Sequence, residues 1–132
     1  MDILTRRSHI ETTRNPDERL DYLVTLNGTL QMGKGASVCH VVIRYIPDQH
    51  ILSPESFARY LKALGGIEWS HLEEAAAAIL EDMGNEVVAR WIQVNASTGS
   101  EDPTSVPGHQ VVLEDKQPQW ENPGLLARLG MI

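Results

Sequence analysis

Apolar and polar residues alternate most clearly over residues 36–46. Cys39, Val41, Ile43 and Tyr45 fall on one face, and Val38, His40, Val42, Arg44 and Ile46 on the other. A period of two predicts a strand there. A weaker alternation through Leu20, Tyr22, Val24 and Leu26 predicts an earlier strand ending at Asn27-Gly28. Gly33-Lys34-Gly35 reads as the loop between them, and the two strands are expected to pair antiparallel. Trp91, Ile92 and Val94 predict a third strand over Arg90–Asn95, and a fourth is expected over His109–Glu114. The polar, Ser/Thr/Gly/Pro-rich stretch 96–108 reads as a long loop between them.

Between the two strand pairs the period changes. Ser53-Pro54 offers a hydroxyl N-cap and a proline at the first helical position. Phe57, Leu61 and Leu64 then recur at helical spacing, with Tyr60 beside them, until Gly65-Gly66. Ser70-His71-Leu72-Glu73 has capping-box spacing and predicts a second helix. Leu72, Ala76, Ile79, Leu80 and Met83 make its apolar stripe, and Gly84-Asn85 is expected to end it. The order is ββααββ, an α+β fold with two helices on one face of an antiparallel sheet.

Residues 1–132 read as one domain, since domains run to roughly 150 residues. Residues 1–15 are polar and aperiodic and read as an N-terminal arm, closed by the turn signal Asn15-Pro16-Asp17. The tail 117–132 is broken by Pro118 and Pro123, and its Leu125, Leu126, Leu129 and Ile132 suggest a short docking helix.

Charge and cysteine content narrow the partners. The net charge of −7 argues against nucleic acid, which needs a basic surface. Residues 1–66 carry 8 basic and 7 acidic side chains, a balance of +1, whereas residues 67–132 carry 3 and 11, a balance of −8. That split is expected to be a solvated acidic face or to be complemented by a neighbouring subunit. The single Cys39 excludes an intrachain disulfide framework and a multi-thiolate metal site. No apolar run approaches the roughly 20 residues of a membrane span, and Met1–Ile10 lacks the apolar stretch of a secretory signal. A soluble, cytoplasmic protein is the expectation. No metal site is expected: no histidines have His-x-x-x-His spacing, and His71-x-Glu73 lacks a Pro-Cys-x-x-Cys partner.

Arg44-Tyr45-Ile46-Pro47-Asp48, followed by Tyr60-Leu61, resembles the 7-cyano-7-deazaguanine (preQ0) nitrile reductases of queuosine biosynthesis. Asn15-Pro16 with Asp21-Tyr22, Ile79-Leu80-Glu81-Asp82 and Arg90-Trp91 fit the same family, over residues 15–95. The resemblance implies the T-fold, in which the sheets of several subunits join into a barrel. A purine- or pterin-like ring then sits between subunits.

The family's catalytic motif is not matched. Its nucleophilic cysteine falls near Leu30 and its proton-donating aspartate at Ser37. Neither side chain can add to a nitrile carbon or protonate nitrogen as a thiolate and an acid do. No catalytic residue is therefore assigned. Cys39 reads as a buried, structural residue on the apolar face of its strand. The family's glycine-rich nicotinamide motif is replaced by Asn95-Ala96-Ser97-Thr98-Gly99, so NADPH is implied only if the chain is a reductase.

The resemblance carries substrate contacts onto Glu73, with His71 beside it, and onto Leu52-Ser53 before the first helix. A carboxylate suits an amidine edge because two parallel N–H donors match its two oxygens. The same Glu73 can instead close the capping box with Ser70, and Ser53 can serve simply as an N-cap. The leading expectation is a diverged homo-oligomer that binds a small heterocycle through Glu73 without reducing a nitrile. The alternatives are a non-catalytic scaffold or partner subunit, and an active NADPH-dependent reductase.

Overall fold

The computed structural model describes residues 2–32, 38–99 and 108–129. The chain order is α1 (Ile3–Arg7), β1 (Thr12–Arg14), β2 (Val24–Gln31), β3 (Val38–Ile46), β4 (His50–Leu52), α2 (Pro54–Leu64), α3 (Leu72–Glu86), β5 (Trp91–Thr98), β6 (His109–Lys116) and α4 (Pro123–Leu129). The main sheet is antiparallel in the order β2-β3-β5-β6, and β1 pairs with β4 in a separate two-stranded ribbon. The ββααββ order is therefore present as β2, β3, α2, α3, β5 and β6, within an α+β fold.

The expected face of β3 forms the core. Cys39, Val41, Ile43 and Tyr45 are buried beneath Phe57, Tyr60, Leu61 and Leu64 of α2 and Leu72, Ala76, Ile79 and Met83 of α3. Ser53 caps α2 by accepting from the Ser56 backbone N–H at 3.2 Å, and Pro54 opens the helix.

Several boundaries differ from the periodicity. β2 starts at Val24 and runs through Asn27-Gly28 to Gln31, because Gly28 lies under α2. A Cβ at Gly28 would come within 2.6 Å of Leu61 Cδ1, so the glycine admits the helix rather than ending the strand. The capping box does not form: His71 is the N-cap of α3 and its side chain makes no capping bond. α3 passes Gly84-Asn85 and reaches Glu86, because Met83 and Val87 stay buried and the Val87 N–H donates to the Met83 carbonyl at 2.8 Å. The left-handed turn falls instead on Val88, at φ 53°, a conformation that crowds a β-branched residue. β5 continues to Thr98, and β6 to Lys116, because each extends its ladder to the register pairs Thr98↔His109 and Trp91↔Lys116. The Gly33–Gly35 loop, Ser37, Ile132 and most of the expected 96–108 loop lie outside the described residues.

The first 15 residues are not a loose arm. β1 pairs with β4, and Ile10 enters the core. No residue of α1 is buried, and a five-residue helix is too short to stand alone. It is held by charge. Arg6 donates to both oxygens of Asp82 at 2.6 and 2.9 Å, and Arg7 Nε donates to Oδ1 at 2.8 Å. The Tyr60 hydroxyl also donates to Asp82, whose carboxylate has no solvent exposure. Burial pushes the Asp82 carboxyl up, but the hydrogen bonds from Arg6, Tyr60 and Arg7 outweigh it and hold it below the ordinary range. Burial, then the adjoining carboxylate, pushes the Tyr60 hydroxyl well above its usual range.

Removing the negative charge should therefore be expensive. Asp82→Asn is expected to cost about 3 kcal/mol or more at neutral pH, because it strands two guanidiniums on a buried neutral group. A carboxyl that titrates lower when folded contributes stability above about pH 3.9 and loses it as the pH falls further. Urea unfolding at neutral and acid pH should show the difference between wild type and Asp82→Asn narrowing below that value.

Candidate functional site

Two polar assemblies stand out beyond the core. The first gathers five of the residues that carry the family resemblance. Arg90, at the entry to β5, donates from Nη1 to the Leu20 carbonyl at 3.0 Å and to Asp21 Oδ1 at 2.9 Å. Its Nη2 donates to the Glu18 carbonyl at 2.6 Å and to Asp48 Oδ1 at 3.4 Å. Asp21 also accepts from Trp120 Nε1 and Asn122 Nδ2, and Asp48 accepts from Gln117 Nε2 at 3.0 Å. Burial raises the Asp21 carboxyl, and the hydrogen bonds from Asn122, Trp120 and Arg90 more than reverse it. The buried Asn15 donates to the Asp48 carbonyl at 2.7 Å and accepts from the Tyr22 hydroxyl at 2.6 Å.

Asn15, Asp21, Tyr22, Asp48 and Arg90 thus build one clasp. It ties the approach to β2, the β3–β4 turn, the start of β5 and the C-terminal tail together. Arg44 behaves similarly on the far face of the sheet. It donates to Gln93 Oε1 at 3.0 and 2.7 Å and to the Leu129 carbonyl at 3.2 Å. Beside it, α4 seats Leu129 on Ile46 and Trp91, with Leu23, Trp120, Leu125 and Leu126 around them. These motif residues act as structure, and none of their charges is left facing an empty space.

The second assembly is at the other end of the sheet. Glu73, in the first turn of α3, stands with Oε1 2.9 Å from His109 Nε2, an ion-pair distance between two side chains that are 63% and 50% exposed. His109 opens β6 and pairs with Thr98 in register. From the sequence, His109 is expected only as the start of the fourth strand. No local pattern marks it, because its partner lies 36 residues away and is reached only through α3–β6 packing.

The remaining expected contacts lie elsewhere. His71 is exposed at the N-cap. Ser53 spends its hydroxyl on the α2 cap and on Glu55. Leu52 is buried, and its N–H donates to the Tyr45 hydroxyl at 2.9 Å. Leu52 and Ser53 follow the Ile46 end of β3, whereas α2 runs back so that Gly65 meets Gln31 at the opposite end. Glu73 and His109 are at that opposite end. The 11 residues of α2 alone span roughly 16 Å, so one chain does not bring Leu52-Ser53 and Glu73 together.

An open groove of about 600 Å³ lies at the same end as Glu73 but beside β2. Gly28, Thr29, Gln31, Leu61, Lys62 and Gly65 are among the residues that line it. Cys39 is fully buried in β3, and burial pushes its thiol up, which suits a packing residue and not a nucleophile. Among the described residues, no three His, Cys, Asp or Glu side chains converge in a way that could hold a metal ion. No helix among them is long and apolar enough to cross a membrane.

Comparison with protein-family models and with curated proteins finds no match to the chain.

Two outcomes follow from this geometry. Arg90→Met should lower unfolding free energy by about 3 kcal/mol, since it leaves carboxylates and carbonyls without their donor. Arg90→Lys should not restore it, because an ammonium lacks the planar fork. Hydrogen exchange should quicken at residues 117–122 and 15–22 together. Cys39 should resist alkylation, and a nitrile substrate, in the native protein and react with thiol reagents only under unfolding conditions, as read by intact-mass spectrometry.

Proposed function

We propose that the chain is a T-fold subunit related to the preQ0 nitrile reductases, and that it binds a purine- or pterin-like heterocycle between copies without reducing a nitrile. The single observation that carries this reading is the division of two complementary features between the two edges of one sheet. Glu73 stands beside β6, and the groove stands beside β2, both at the same end.

β2 and β6 are the outer strands, and neither has a second partner strand among the described residues. They also run in opposite directions, because the four strands alternate. Copies arranged with the same orientation would therefore continue the sheet antiparallel from β6 of one onto β2 of the next. The His109 end of β6 would then meet the Gln31 end of β2. Glu73 of one copy would face the groove of its neighbour, whose volume falls in the roughly 300–1,000 Å³ range of small-molecule sites. Such an arrangement supplies what one chain lacks, a carboxylate at the groove.

The free half of the far sheet face fits the same reading. Asn27, Thr29, His40, Asn95, Ser97 and Gln110 stand there in neighbouring rows, with Val42 and Val112 among them. A mixed, partly exposed face suits a sheet that is solvated on one side and continued at its edges. The carboxylate accepts two parallel N–H donors from an amidine edge. The absence of a thiol or acid at the positions of Leu30 and Ser37 in the sequence supports binding without nitrile chemistry.

The clasp favours a second reading. Since the resemblance is carried largely by residues that hold the scaffold, the chain can have kept the assembly and lost the ligand, as a non-catalytic scaffold or partner subunit. Light scattering and calorimetry separate the readings. The first expects a multimer that binds 7-deazaguanines, guanine or pterins, with binding abolished in Glu73→Gln. A monomer overturns the barrel. A multimer that binds none of these, or binds undiminished after Glu73→Gln, overturns the ligand reading and supports the scaffold.

A further inference from the structure

We infer that His109 is a positioning residue for Glu73, which makes the ligand anchor a two-element device built from α3 and β6. The inference rests on the reading of Glu73 as the anchor. It deepens that reading by adding a residue that its motif does not contain.

Glu73 is free for this role because the capping box is not formed. The N-cap of α3 is His71 with no side-chain capping bond. The Glu73 Oε1 lies 2.9 Å from His109 Nε2. A glutamate side chain has three rotatable bonds, and at a half-exposed site it samples many rotamers. An imidazole nitrogen at that distance favours a subset of them. A carboxylate offers about four lone-pair sites, so an imidazole on one leaves room for two N–H donors of an amidine edge.

The backbone that carries the imidazole is held in place. His109 is the first residue of β6 and is locked by its register with Thr98, so its backbone cannot slide along the sheet. The sequence neighbour of Glu73 that resembles the family's histidine, His71, does not make this contact. The imidazole comes instead from the far strand. Since His109 also lies on the sheet edge, it would sit where a neighbouring copy's groove meets Glu73. The arrangement links the shape of the anchor to the β5–β6 ladder.

The test is calorimetric titration of pterin and of 7-cyano-7-deazaguanine into the full-length wild type, His109→Ala, His109→Gln and Glu73→Gln. Melting temperatures are recorded to show that each variant is folded. His109→Ala should weaken binding about fivefold to tenfold, the range that one hydrogen bond supplies. His109→Gln keeps a side-chain N–H of similar reach and should restore affinity to within about twofold, whereas a merely structural loss would not be repaired by this substitution. Glu73→Gln should abolish binding. If Glu73→Gln abolishes binding but His109→Ala leaves it unchanged, or if His109→Gln fails to rescue, the positioning role is overturned while the anchor stands. If the wild type binds neither compound, the anchor reading and the inference fall together. A ligand-independent readout accompanies the titration: the imidazole nitrogen resonances of His109 should report the Nε2–H tautomer in wild type and a changed tautomer balance in Glu73→Gln. Identical spectra overturn the contact.

Discussion

One guanidinium organises the end of the molecule where the chain is least regular. Arg90 meets the strands only through its backbone, whose N–H donates to the Ile46 carbonyl, yet its side chain donates to four oxygens from two segments that are distant in sequence. Its side chain is only 15% exposed, and the partner carboxylates Asp21 and Asp48 are 25% and 30% exposed. A planar fork with several donors in fixed directions can meet carbonyls and carboxylates at once, which an ammonium cannot. Through Asp21 and Asp48 the same charge reaches Trp120, Asn122 and Gln117. The tail that lays α4 over the sheet is thereby tied to the residues that launch β2.

A second buried charge does the same for the N-terminus. Asp82 is placed on the buried face of α3, where an unpaired carboxylate would be intolerable. Arg6, Arg7 and Tyr60 saturate it, and α1 is docked as a consequence. Both ends of the chain are thus held by charge at points where apolar burial is thin. The core between them needs no such device, because β3 buries one continuous apolar face under two amphipathic helices.

These clasps bear on function. A motif can persist because it holds a scaffold, and here Asn15, Asp21, Asp48 and Arg90 are consumed by one another. The chemistry-bearing positions of the resembling family are occupied by residues that cannot do that chemistry, and Cys39 lies inside the core. Beside these clasps stand Glu73 with its imidazole neighbour on one sheet edge and a groove on the other.

The alternation through Val38–Ile46 and the helical spacing from Phe57 to Met83 were enough to determine the α+β class, the strand–helix order and most of the core. Burial of one face is a local property of periodicity, so it is legible residue by residue. The Ser53-Pro54 start of α2 was legible for the same reason, since an N-cap is settled within one turn. The strand passing through Gly28 was not, because its glycine answers to Leu61, 33 residues later. Nor were the docking of α1, the missing capping box or the Glu73–His109 pair. Each depends on which of several polar partners comes nearest once helices and strands have packed, and a carboxylate's choice among them is made in three dimensions. The sequence by itself determined the layers of this protein and the absence of a nucleophile at the expected positions. The tertiary structure decided which charges are spent on holding the fold.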